Sequence, residues 1–122
     1  YTWFTNNAGV PRVLMLAAPK MGTIIHVNLL DFPEGTLIAQ SGAFLCSSPG
    51  VRFSVELVKK FGAGLFGGEG FILQRLAAES GSAGDLFIHG GGTIVRKELN
   101  NETLTIETGC LMALTLGIEY DI

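Results

Sequence analysis

The sequence predicts an all-β fold, an antiparallel β sandwich or double-stranded β-helix of the jelly-roll kind. Three observations predict it. Apolar residues fall in short runs rich in Val, Ile, Thr and Phe, and the clearest of these alternate at period two. Clusters of Gly, Pro, Asn and Ser punctuate the runs at short intervals. No apolar stripe of period 3.6 lasts beyond two turns, which leaves sandwiches and barrels as the fitting architectures. At 122 residues the chain is one domain's worth; with 48% hydrophobic and 16% charged residues it is built to bury a core rather than stay disordered.

In chain order, Tyr1–Gly9 is Asn-rich and reads as a connector, and Arg12–Ala18 is a short apolar run closed by Pro19. Thr23–Leu30 follows, ending in the turn-forming Asp31-Phe32-Pro33-Glu34-Gly35. Thr36–Gln40 and Ala43–Cys46 are separated by Ser41-Gly42. After Ser48-Pro49-Gly50, Arg52–Lys60 alternates most cleanly: Phe53, Val55 and Leu57 on one face, Arg52, Ser54 and Glu56 on the other. Residues 59–71 form a hinge holding five of the 17 glycines. Beyond it the strands are Phe71–Leu76, Leu86–His89, Thr93–Leu99, Thr103–Glu107, Cys110–Leu114 and Ile118–Ile122, about eleven in all.

The two sides of the hinge resemble each other. Thr36–Leu45 aligns with Thr103–Met112, and without a gap Gly50–Val55 aligns with Gly117–Ile122. Gly22-Thr23-Ile24-Ile25 matches Gly92-Thr93-Ile94-Val95 once three residues are inserted in the Asp31–Gly35 turn. The single domain 1–122 therefore divides into one unit at about 12–58 and a second at about 72–122, related by a pseudo-twofold, with Gly42 over Gly109 and Phe53 over Tyr120.

Gly62-Ala63-Gly64-Leu65-Phe66-Gly67-Gly68-Glu69-Gly70-Phe71 with Leu73-Gln74-Arg75-Leu76, then Gly91–Leu99 and the closing Glu119-Tyr120-Asp121-Ile122, carry a signature. It resembles that of the altered-inheritance-of-mitochondria family, member twenty-four, long catalogued as a domain of unknown function. The resemblance runs from about Pro11 to Ile122. It implies a double-stranded β-helix grouped with the tryptophan RNA-binding attenuation protein, a trimeric assembly and no catalytic residues. It also implies a domain that continues past Ile122 with another Phe-Gly-Gly-Glu-Gly phrase, so the chain is either truncated or a short member.

The chemistry the residues offer is slight. Net charge is −3, and the basic residues are dispersed, which excludes a nucleic-acid footprint. The hinge lacks the order of a phosphate loop, since Lys59 and Lys60 precede the glycines and a strand follows. His26 and His89 stand alone, without the HxH pair of a metal-binding cupin, so no metal or other cofactor is expected. Cys46 and Cys110 lack CxxC spacing and read as small buried thiols of a reducing compartment. Glu119 and Asp121, about 7 Å apart on a strand, read as solvated rim charges.

Phe61, Leu65, Phe66 and Phe71 decorate the glycine hinge and are assigned to a subunit interface. Contact of the same loop with a membrane, aided by Lys59 and Lys60, is the weaker reading. The sequence thus points to a non-enzymatic β scaffold that pairs with copies of itself. Its rivals are a membrane-associated organising adaptor and a cupin-like metal-binding protein. The expected location is intracellular: cytoplasmic in a prokaryote, or mitochondrial through the family.

Overall fold

The computed structural model describes residues 1–59 and 70–121. They form seven strands: β1 (Gly22–Asn28), β2 (Thr36–Gln40), β3 (Phe44–Ser47), β4 (Val51–Lys59), β5 (Phe71–Ala78), β6 (Asp85–Gly91) and β7 (Ala113–Thr115). All pairings are antiparallel. One sheet has the order β1-β6-β3, the other β4-β5-β2-β7, and together they make an open sandwich. The all-β expectation holds: the only helical turns among the described residues are of 3₁₀ type.

β2 shows why the sheets stack. Thr36, Leu37, Ile38 and Ala39 are all nearly inaccessible, because β5 and β7 flank the strand and both its faces are covered. Leu37 and Ala39 face the other sheet and pack with Val51, Leu76, Leu29, Leu86 and Ile88. Ile38 points the opposite way and joins Phe71, Leu73 and Leu114, with Leu57, Leu111, Leu116 and Ile118 partly buried around them. The four-stranded sheet is therefore apolar on both sides, and each fully buried Leu or Phe stabilises it by about 1.5–3 kcal/mol.

The sheets are tied at the loops. The Asn28 carboxamide accepts from Leu30 N (2.9 Å) and donates to the Ala83 carbonyl (3.0 Å), while Leu29 N donates to Gly84 O (2.8 Å). That last bond sets the alternation of the β1–β6 ladder: odd residues of β1 face even residues of β6. Continued in the same register, Pro19 would have to supply an N–H that it lacks. On the other strand Gly92 turns left-handed at φ 70°. The ladder ends at the Gly22–Gly91 pair.

Along β4 the register slips between Val55 and Leu57, a β-bulge with Glu56 as the added residue. It sets the Glu56 carboxylate against Arg75 on β5, with Nε at 2.9 Å and Nη2 at 3.5 Å. The hydrogen bond, and then the attraction between the charges, hold the guanidinium pKa above its ordinary value.

Four expected strands are not strands. Arg12–Ala18, Thr93–Leu99, Thr103–Glu107 and residues 118–121 run without ladder partners. Alternation prepares a segment for a sheet, but only a neighbour's hydrogen bonds make it one.

Candidate interaction surface

Of the residues assigned to an interface, Phe61, Leu65 and Phe66 lie outside the described residues. Phe71 is placed inside the subunit, fully buried at the start of β5. Among the described residues most of the highly exposed apolar side chains lie on the segment before β1, whose start Tyr1–Gly9 reads as a connector and whose Arg12–Ala18 run reads as a strand. Trp3 (80% exposed), Val13 (85%), Met15 (88%) and Met21 (96%) mark an N-terminal arm with almost no cover. The signal was available in the sequence: a Trp-Phe pair, then the apolar run Val13–Leu16, before Pro19.

The arm folds over a turn in which Asn6 Nδ2 donates to Val10 O (2.8 Å) and Ala8 N donates to Asn6 Oδ1 (3.0 Å). Its tip is anchored. The Tyr1 ring lies 4.5 Å from that of Phe53 on β4 and 5.2 Å from that of Phe44 on β3, so it closes the mouth between the two sheets. The Tyr1 hydroxyl donates to Gln74 Oε1 at 3.1 Å. Residues 93–107 make a second projecting arm, bent at Asn101 (φ 54°) and tied by Lys97 to Glu102 (2.6 Å) and Arg96 to Glu98 (2.8 Å). These pairs are solvated, and such ion pairs contribute little.

The four edge strands differ in how open they are to a further strand. β7 has three residues, β3 has four and a register shift, and β4 is bulged beside Arg52 and Glu56. Short length, bulges and charges are the devices that discourage edge pairing. β1 has none of them: seven residues in unbroken register, with His26 its only ionisable side chain. His26 Nε2 sits 2.8 Å from Asp85 Oδ1, and its ring stacks at 4.7 Å on Phe87. A shallow recess of about 340 Å³ lies beside it, lined by His26, Val27, Asn28, Asp31, Phe32 and Arg96.

Catalytic and metal geometry is thin. Among the described residues no three of His, Cys, Asp and Glu gather as metal ligands, and His89 is buried. Glu119 and Asp121 lie outside any strand. Both thiols are free. Cys46 is half-buried, and burial pushes its thiol pKa up, so thiolate is scarce at neutral pH. Cys110, expected to be buried, is exposed. Cys110 should accordingly be alkylated by a maleimide several-fold faster than Cys46 near pH 7, read by peptide mass spectrometry; equal rates would contradict the placement.

Two antiparallel sheets, with exposed apolar arms and one unguarded edge, define an all-β sandwich protein. The chain belongs to the AIM24 mitochondrial biogenesis family, whose sequence profile matches residues 1–122, the whole chain. No curated protein matches it. Among the described residues no helix is long and apolar enough to cross a membrane.

Proposed function

We propose that this chain is a non-enzymatic β scaffold that assembles with copies of itself into a closed trimer, each subunit built from two similar β units in a jelly-roll arrangement. The carrying observation is surface area. The chain exposes 8818 Å² for a mass of 12.9 kDa, where a compact monomer of that mass exposes roughly 6,300 Å². The excess of roughly 2,500 Å² is of the size that permanent assemblies cover. Much of it is apolar, since the most exposed large side chains include Met21, Met15, Val13 and Trp3.

The two-unit reading draws support from local geometry. The 3₁₀ turns Ser41–Ala43 and Thr108–Cys110 stand 67 residues apart, each leading towards a strand. At the same spacing Gly50 (φ 79°) and Gly117 (φ 87°) are both left-handed. The correspondence is partial: β2 is a strand whereas residues 103–107 are not, and neither Gly42 nor Gly109 is left-handed. A non-enzymatic role agrees with the suppressed Cys46 thiolate. The net charge of −3 speaks against nucleic acid as a partner. The family's description favours a mitochondrial setting, with the cytoplasm as its counterpart in a prokaryotic host.

Light scattering on the purified chain tests the assembly, with a particle of several subunits expected and a monodisperse monomer contradicting it. Elemental analysis tests the cupin-like rival, which requires stoichiometric metal. Co-sedimentation with liposomes tests the membrane adaptor.

A further inference from the structure

We propose that Arg12–Ala18 of one copy adds as an antiparallel strand to the outer edge of β1 in the next copy. The inference rests on the self-assembly reading above and names the surfaces that carry it. β1 is the one edge among the described strands with neither a bulge, a charge barrier nor short length to turn a partner away. Arg12–Ala18 is its counterpart: seven residues, apolar at six successive positions from 13 to 18, and without a ladder partner. Pro19 follows immediately, so the strand ends where the missing N–H would matter.

The registers fit. Odd residues of β1 exchange hydrogen bonds with β6, so the even residues offer theirs outward. An antiparallel strand with Arg12 opposite Asn28 and Ala18 opposite Gly22 meets those groups along its whole length. In that register Val13 and Met15 stand opposite Val27 and Ile25, which pack against the inter-sheet core. The two most exposed apolar side chains of the segment would then extend that core.

Charge selects the orientation. Arg12 has no ion pair among the described residues, and this pairing brings it to the end of β1 where Asp31 lies, beside Asp85 (paired with His26) and with Arg96, itself paired with Glu98, across the recess. A parallel strand would carry it to the opposite end, beside Lys20 and Gly22. Addition of a strand to a sheet edge is a common recognition mode. Because donor and acceptor are different surfaces, the contact is head-to-tail, the kind that closes into a ring.

Cysteine cross-linking reads the register. In a Cys46→Ser, Cys110→Ser background, Leu14→Cys and His26→Cys should be linked between copies by mild oxidation. Multimer bands on a non-reducing gel, abolished by thiol, are expected. Leu14→Cys with Arg52→Cys, aimed at the β4 edge, should give none above background. A disulfide formed only within the monomer, or no difference between the two pairs, would overturn the proposal. Should the cysteine variants fail to fold, Arg12→Glu in the otherwise unchanged chain decides it: a tenfold or greater weakening of assembly, restored by adding Asp31→Arg, is expected, and unchanged assembly refutes it. An oligomer without these effects defeats this inference alone, whereas a monomeric parent protein defeats the self-assembly reading as well.

Discussion

Leu76→Ala should destabilise the fold by about 3–4 kcal/mol. Leu76 is completely buried in the middle of β5, opposite Leu37 of β2 on one side and Phe53 of β4 on the other. Truncation removes apolar contact with both neighbouring strands, with Leu86 of the facing sheet and with Leu29 in the turn that follows β1. The rigid ladders on either side keep the site from collapsing, so the cavity cost adds to the lost transfer energy. Urea denaturation should show the midpoint falling sharply with an unchanged slope. Val55→Ala on β4, where the side chain is 64% exposed, should stay within about 0.5 kcal/mol of the parent. Similar losses at both positions would contradict the assignment of the core.

Gly50→Ala should cost about 2–4 kcal/mol, from two separable causes. The residue sits at φ 79°, where an L side chain is strained by about 1–2 kcal/mol. An added Cβ would also stand 2.7 Å from Ser82 Cβ, and the turn is pinned there by Glu79 N donating to Gly50 O at 2.8 Å. Gly117 has the same left-handed backbone at φ 87° with open space around it. Gly117→Ala should therefore show only the conformational cost, about 1–2 kcal/mol. Comparing the two melts isolates the clash. If Gly117→Ala were the costlier change, the turn geometry assigned to Gly50 would be refuted.

How much of this was legible in the sequence differs from element to element. β2 coincides with the apolar run Thr36–Gln40, and β4 with the alternation from Arg52 onward, because both lie between strong turn signals and find partners on the described chain. The bulge at Glu56 was invisible: the alternation places Phe53 and Leu57 on one face, but the added residue turns Leu57 to the other, where it packs with Phe71 and Leu73 while Phe53 packs against the inter-sheet core. The second apolar layer behind the four-stranded sheet was also hidden: period two sets Phe71 and Leu73 on the face opposite Leu76, but nothing in the strand itself says that both faces are covered. Arg12–Ala18 and Thr103–Glu107 carry strand composition but no ladder, because pairing depends on a neighbour that composition does not name. The interface assignment meets the structure only at Phe71, since Phe61, Leu65 and Phe66 lie outside the described residues. Glycine-rich phrasing drew the assignment to the 59–71 hinge, and Phe71 went into the core, while the N-terminal arm displays the exposed Trp3, Val13 and Met15.

Sedimentation equilibrium over a wide range of protein concentration tests self-assembly most directly. The scaffold account predicts a single species near 39 kDa, three times the 12.9 kDa chain mass, persisting well below micromolar concentration. A species of one chain mass at every concentration would contradict it.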